Sequence, residues 1–312
     1  MVVVERPVPA PPLGQVLIRV EAIGVGGVDA VIRRGTLGSA YQTGMIPGSE
    51  VAGTVTAVGE GVNSSWVGRR WAFTGTEGGY AEYALALVGE LVAIPEALAS
   101  AAAVTLGSAA TVAHFALAHA HLAAGESVLV RGAAGSIGIA TVELARRSGA
   151  SSIAVTTSSA ERGLQLRKLG ASEILDRSGE GSSSIPSLFD VIIDIVGGEH
   201  VPDFIDRLAP NGRMILVGAV AGFPPADFGS HLMQAFQQSR SFATFSLASI
   251  PAEARDAVRA QVFESAVRGE LHPVIHETIP LDQAAEAHHQ MDLGTVFGRI
   301  VLTPKHPPRI DL

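Results

Sequence analysis

The chain has 312 residues, enough for about two domains of ordinary size. Hydrophobic residues make up 47% and charged residues 17%, so the chain can bury cores and is not of the disordered class. A formal charge of −8 argues against a nucleic-acid partner, and the absence of cysteine removes disulfides, thiolate metal sites, iron–sulfur clusters and a cysteine nucleophile together.

The opening residues, MVVVERPVPAPP, lack the basic stretch and long apolar run of a secretory leader, so a cytoplasmic location is expected. The first third reads as β structure. Residues 15–20 (QVLIRV) alternate polar and apolar, Glu50–Val58 is rich in β-branched residues, and 70–73 and 80–87 are further short strands. Gly and Pro punctuate them, as in a small barrel or sandwich. Residues 97–124 carry no Asp, Glu, Lys or Arg but are mostly small, which predicts two packed Ala-rich helices rather than a membrane span.

After Gly125 strands and helices alternate. Ser127–Arg131, Ser152–Thr156, 189–196 and 212–217 read as strands; Ser136–Arg147, Ala160–Leu169 and 200–208 read as helices. That order predicts a parallel sheet covered by helices. Residues 178–187 read as a surface loop and 236–247 as an edge segment. A helix over 252–268, a second near 281–291 and a last strand at 297–302 follow, and 305–312 reads as a loose tail.

The most informative segment is VLVRGAAGSIGIATVEL, residues 128–144. A buried strand runs into Gly132, Ala133, Ala134, Gly135, Ser136, Ile137 and Gly138, then a helix. Small residues there let the backbone approach a pyrophosphate, and free N–H groups at the helix start hold its charge. The spacing departs from G-x-G-x-x-G, so strand–turn–helix context carries the reading. The next strand ends Thr156-Thr157-Ser158-Ser159, with Arg162 in the helix beyond and no acid before Glu161. Hydroxyls and a cation suit a 2′-phosphate and therefore NADP(H) over NAD(H). An ordinary N-cap at Ser158 or Ser159 is compatible with the same residues.

At this point the sequence resembles the medium-chain dehydrogenase/reductase superfamily, in its zinc-free quinone oxidoreductase and enoyl reductase branch, which includes crystallin-like members. The resemblance rests on 21–35 (EAIGVGGVDAVIRRG), 46–62 (IPGSEVAGTVTAVGEGV), 78–83 (GGYAEY), 128–138 (VLVRGAAGSIG), 189–198 (FDVIIDIVGG), 211–218 (NGRMILVG) and 297–304 (FGRIVLTP). It implies an α/β protein with a GroES-like β-rich catalytic domain, 1–107 and 248–312, and an inserted Rossmann domain, a doubly wound parallel sheet over 108–247. For the cofactor it adds Arg177, Val196, Val217, Gly218, Phe245 and Ser246 to the glycine-turn and 157–162 residues. It also implies a homodimer.

The departures matter as much. Zinc alcohol dehydrogenases of the superfamily place Cys, His and Cys where this chain has Gly26, Ser49 and Ser108, none a zinc ligand. No metal is expected, and an alcohol dehydrogenase with substituted ligands is the least favoured reading. The early loop keeps only Asp29 of the branch's N-F-x-D-x-Y pattern, losing the Tyr proposed as a proton donor in related enoyl reductases. Tyr41, Asp29 and His114 are the catalytic candidates that remain. The segment before Glu5 is shorter than in relatives. His114, His119 and His121 fall on the Ala-rich stretch, with His114 and His121 seven apart and so on one helix face. Asp190 and Asp194 read as structural. The expected activity is zinc-independent, NADPH-dependent reduction of a small-molecule quinone or enone. The alternatives are an enoyl reductase acting on an acyl thioester and a non-catalytic, crystallin-like NADPH-binding protein.

Overall fold

The computed structural model describes residues 1–35, 44–75, 78–181 and 188–305. Tyr41, most of the 178–187 loop and the tail beyond 305 lie outside the described residues. In chain order the elements begin with β1 (Gln15–Val25), α1 (Gly27–Arg33), β2 (Glu50–Val58), β3 (Arg70–Thr74), β4 (Tyr83–Leu87), β5 (Leu91–Ala93) and α2 (Ser100–His119). Then come β6 (Ser127–Arg131), α3 (Ser136–Arg147), β7 (Ser152–Thr156), α4 (Ala160–Leu169), β8 (Glu173–Leu175), β9 (Phe189–Asp194), α5 (Val201–Ile205) and β10 (Leu208–Leu216). The rest are α6 (Gly229–Gln234), β11 (Ser241–Thr244), α7 (Ala252–Val267), β12 (Ile275–Pro280), α8 (Ala284–Leu293) and β13 (Arg299–Thr303).

The chain divides into two units, Met1–Ser108 with Ala252–Leu312, and Ala109–Pro251. The first contains a seven-stranded sheet in the order β12-β13-β1-β2-β3-β5, with β4 also on β1. β1 is longer than its alternation predicts because it serves three partners. Residues Gln15–Arg19 pair with β4, Ile23–Val25 pair with β13, and β2 runs along the other side with two bulges. Val16, Ile18 and Val20 point into the core and pack with Val51, Val55, Ile300 and Leu302. The last strands of the chain thus complete a sheet begun by the first.

In the second unit the order is β11-β10-β9-β6-β7-β8, and every pairing is parallel. Val128–Val130 and Val191–Ile193 are completely buried, as strands covered on both faces must be. The strand order reverses between β6 and β9, which defines a doubly wound sheet with its switch point there.

Five features differ from the reading of the sequence. Residues 97–124 contain one helix, α2 (Ser100–His119), not two. It has the length and apolarity of a membrane span, yet most of it is buried in the protein. No breaker interrupts it, and its internal Gly107 is used: a Cβ there would lie 2.7 Å from Glu50 Oε1. His121 lies past the helix end at φ 50, so it does not share a helical face with His114. β10 starts at Leu208, where a helix was expected to be ending, and absorbs Pro210 and a left-handed Asn211 through a register shift. β8 is three residues long and has too little periodicity to be read. Of the 236–247 segment, only β11 is strand, and it is the sheet's edge.

Candidate nucleotide-binding edge and a buried acid–arginine cluster

All six strands of the second unit run the same way, so the loops leaving their C-terminal ends share one edge of the sheet. Each sequence-predicted cofactor residue lies directly after one of these ends. Ala133, Ala134, Gly135, Ser136, Ile137 and Gly138 follow β6, and Thr157, Ser158, Ser159 and Arg162 follow β7. Arg177 follows β8, Val196 follows β9, Val217 and Gly218 follow β10, and Phe245 and Ser246 follow β11. Open α/β sheets take ligands at this edge, beside the switch point.

The glycine turn has the shape its composition predicts. Gly132 sits at φ 83, which disfavours any side chain, and a Cβ there would also come within 3.0 Å of Val196. Its N–H donates to Thr156 Oγ1 at 3.3 Å, tying the turn to the neighbouring strand. Gly138 has no space for a Cβ, which would lie 2.5 Å from both Ala133 Cα and Gly132 O. The N-cap of α3 is Gly135, with no side chain to cap the first-turn N–H groups. Those donors, at the positive end of a helix and beside a backbone free of bulky groups, fit a pyrophosphate.

Thr156 pairs with Leu175, so the loops after β7 and β8 leave the sheet side by side. Thr157 is buried, whereas Ser158, Ser159 and Arg177 are exposed and Arg162 is half-buried. Ser159 caps α4, its Oγ accepting the Arg162 N–H at 3.2 Å. The cap and a phosphate role use different parts of the same loop. Asp176, beside Arg177, is occupied locally: Oδ1 accepts the N–H groups of Ser178 and Glu180, both at 2.9 Å, and the Ser178 hydroxyl. These bonds, the Ser178 hydroxyl first, hold its carboxyl below the ordinary range.

Periodicity gave no sign of a buried pair at the switch point. Arg131 ends β6 and Asp194 ends β9; they are register partners, 2.8 Å apart and buried. Arg131 also donates to Gly197 O at 2.8 Å, and its guanidinium lies 4.4 Å from the Phe204 ring centre. Asp194 Oδ1 accepts the N–H groups of Val196 and Gly197. The pair therefore fixes the loop that carries Val196. A charge ending an otherwise apolar run, SVLVR, was the available signal. Asp190 joins the two strands at their other end, accepting from Ser127 N–H and Oγ at 2.8 and 2.7 Å.

The first unit holds a different kind of site. Glu50, Asp29 and Arg299 are all buried. Glu50 Oε2 lies 2.7 Å from Arg299, and Oε1 accepts the Ser108 N–H at 2.8 Å. Arg299 also donates to Gly24 O at 3.2 Å. Asp29 Oδ2 accepts the Gly26 N–H at 2.8 Å, and the Ser49 hydroxyl is a second hydrogen-bonding neighbour of the carboxyl. Burial pushes the Asp29 carboxyl above the usual range; the Gly26 N–H, Arg299 and Ser49 act in the opposite direction without offsetting it. Among the other candidates, His114 is an exposed residue of α2 with its ring edge-on to Phe115. His288 of α8, not singled out by the sequence, is buried with Nε2 3.0 Å from the Tyr80 hydroxyl.

A two-unit chain, with a doubly wound sheet presenting a glycine turn and a separate β-rich unit, has the architecture of a nucleotide-dependent oxidoreductase. Comparison with known proteins makes the class specific. Residues 12–96 match the alcohol dehydrogenase GroES-like domain, and 169–302 match the zinc-binding dehydrogenase family. Quinone oxidoreductase of Rattus norvegicus is 33% identical over 294 residues, 91% of this chain and 87% of the rat protein. The solved quinone oxidoreductase of Pseudomonas syringae superposes with a TM-score of 0.87 at 28% identity, covering 96% of this chain and 94% of the other. A mycobacterial protein solved in complex with NADPH gives a TM-score of 0.86 at 27% identity, with the same two coverages. The chain belongs to the quinone oxidoreductase branch of the medium-chain dehydrogenase/reductase superfamily, and the enzyme is an oxidoreductase.

The zinc implied by one family description does not fit these residues. Gly26 has no side chain, and Ser49 and Ser108 offer only neutral hydroxyls in place of thiolate or imidazole ligands. Among the described residues no group of three His, Asp or Glu is placed to hold a metal.

Proposed function

We propose that this enzyme uses NADPH to reduce a small quinone or the electron-poor C=C of an enone, without zinc. The observation that carries the reading is the nucleotide edge: a turn that excludes side chains at Gly132 and Gly138, with hydroxyls and arginines where an NAD site places a carboxylate. Backbone N–H groups at 134 and 136–138 would hold the pyrophosphate, that of Gly135 being given to Gly132 O. Ser158, Ser159, Arg162 and Arg177 would hold the 2′-phosphate, and Val196, Val217, Gly218, Phe245 and Ser246 would contact the remainder. When bound, the reduced nicotinamide supplies a hydride. The protein must then orient the acceptor and stabilise the oxyanion that develops on its carbonyl. The relatives support the quinone class by name, and the mycobacterial structure supports the cofactor. The cytoplasm, which keeps NADPH reduced, suits this activity.

We also propose a homodimer through β11. It is an edge strand, and the exposed side chains of Val220, Phe223, Met233 and Phe236 lie in the segments leading to it. An unpaired strand edge flanked by exposed apolar side chains invites pairing with a second copy.

The test is oxidation of NADPH in the presence of p-benzoquinone and, separately, cyclohexenone, before and after dialysis against a chelator. Oxidation with at least one acceptor, unchanged by the chelator, is expected. Tight NADPH binding with no oxidation by either acceptor would move the reading to a non-catalytic binding protein.

A further inference from the structure

Arg131 and Asp194 are 4% and 0% exposed, each closing a fully buried apolar run, 128–130 and 191–193. A buried ion pair is commonly no more stabilising than apolar residues of the same volume, so stability alone does not account for it. Its contacts are aimed at two loops. Asp194 Oδ1 accepts the N–H groups of Val196 at 2.8 Å and Gly197 at 3.1 Å. Arg131 Nη1 donates to Asp194 Oδ2 and to Gly197 O, both at 2.8 Å. The backbone oxygen of Asp194 accepts the Val217 N–H at 2.7 Å. Further along, Val196 O accepts the Ala221 N–H and Gly222 O accepts the Gly198 N–H, both at 2.8 Å. The loops after β9 and β10 are thus one hydrogen-bonded body with the ion pair at its root. The body is closely packed: Gly197 and Gly198 sit at φ 67 and 77, and a Cβ would lie 2.7 Å from Gly222 O or 2.9 Å from Ala221 Cβ. Val196, Val217 and Gly218 stay partly exposed on it.

We propose that Arg131 and Asp194 are positioning residues for the nicotinamide half of NADPH, acting through the loops after β9 and β10. The inference rests on the cofactor reading above. The strand order is β11-β10-β9-β6-β7-β8. With the pyrophosphate on the turn after β6 and the 2′-phosphate beyond β7 and β8, the nicotinamide half extends the other way, over the loops after β9 and β10. Those are the two loops the ion pair holds. The adenosine side has its own ties, the Thr157 N–H to Leu175 O at 3.0 Å and the Ser159 cap. Loss of the ion pair therefore loosens the surface under one half of the cofactor and leaves the surface under the other half held. The pair touches no substrate atom; it sets where the hydride donor rests.

Isothermal titration with NADPH and with adenosine 2′,5′-bisphosphate, which carries only the adenosine and 2′-phosphate end, separates the two halves. The double variant Arg131→Met, Asp194→Leu removes both charges together and leaves neither buried alone. Its affinity for the bisphosphate should stay within about twofold of wild type, while NADPH should bind about tenfold more weakly. Turnover of p-benzoquinone at saturating NADPH should fall roughly a hundredfold, the cost of misplacing a reacting group by about 1 Å. Arg131→Lys keeps the buried charge but gives up the planar guanidinium 4.4 Å from the Phe204 ring centre, and should show the same split at smaller amplitude. If the double variant does not fold, the lysine variant carries the test on the same readings. Equal losses for both ligands in a folded variant would make the pair a support of the whole sheet, and unchanged NADPH binding and turnover would show that it positions nothing; either result overturns the proposal. Failure of wild type to bind the bisphosphate or NADPH would instead overturn the cofactor reading on which the proposal rests.

Discussion

The two units build their sites from different materials. In the parallel-sheet unit the site is made mainly of backbone: a left-handed Gly132, a Gly138 without space for a Cβ, an uncapped helix start, and loops leaving parallel strands together. In the β-rich unit it is made of buried charge: Glu50, Arg299 and Asp29, with Arg259 close by. A backbone site is local in sequence, tolerates exposure and fails when volume is added. A charge cluster is assembled from distant segments and fails when one partner is removed.

The largest effect should come from splitting the charge cluster. Arg299→Met leaves Glu50 buried without its ion-pair partner, and chemical denaturation should show a loss of about 3–5 kcal/mol. The double variant Glu50→Gln, Arg299→Met should recover part of it, since removing both charges removes the unpaired one. A double variant no more stable than the single would show that shape, not charge, governs this cluster.

The matching test of the backbone site adds volume. Gly138→Val places methyl groups where even a Cβ meets Ala133 and Gly132 at 2.5 Å, and should cost about 1–3 kcal/mol by overpacking. NADPH binding should fall further than stability alone explains, because the turn that holds the pyrophosphate must shift. Isothermal titration at a temperature where the variant is folded separates the two effects.

Arg162→Ala sharpens the cofactor assignment. Loss of a charge-assisted contact of about 1.5–3 kcal/mol predicts a ten- to hundredfold loss in NADPH affinity and little change for NADH. Equal losses for both cofactors would remove Arg162 from the phosphate site.

A smaller effect is expected from the buried Tyr80–His288 contact. Burial holds the His288 imidazole down to about 4. The unfolded chain therefore binds a proton at a higher pH than the folded one does. The resulting stability is fully present above the ordinary histidine range and is lost as pH falls from about 6.5 toward 4, by roughly 3 kcal/mol at most. His288→Asn should flatten the stability–pH curve in that window; an unchanged slope would show that other groups set it.

The same contrast explains what the sequence could reveal. The glycine turn, its helix and the Ser159 cap lie within short segments whose spacing carries their geometry, and they were legible. The second half of β1 was not, because its extent is decided by strands from residues 50–58 and 299–303. Arg131 and Asp194 are 63 residues apart, and only strand register brings them together. Glu50 and Arg299 are farther apart still. Asp29 was visible as the survivor of an altered motif, but its burial and its unpartnered oxygen follow from packing alone.

The most direct test of the central claim, a nucleotide edge selective for the 2′-phosphate, is fluorescence titration of the purified protein with NADPH and separately with NADH. Tight NADPH binding, with NADH at least about tenfold weaker, is predicted from one charge-assisted phosphate contact. Equal affinities would contradict the roles of Ser158, Ser159, Arg162 and Arg177, and no binding of either would reduce the glycine turn to architecture.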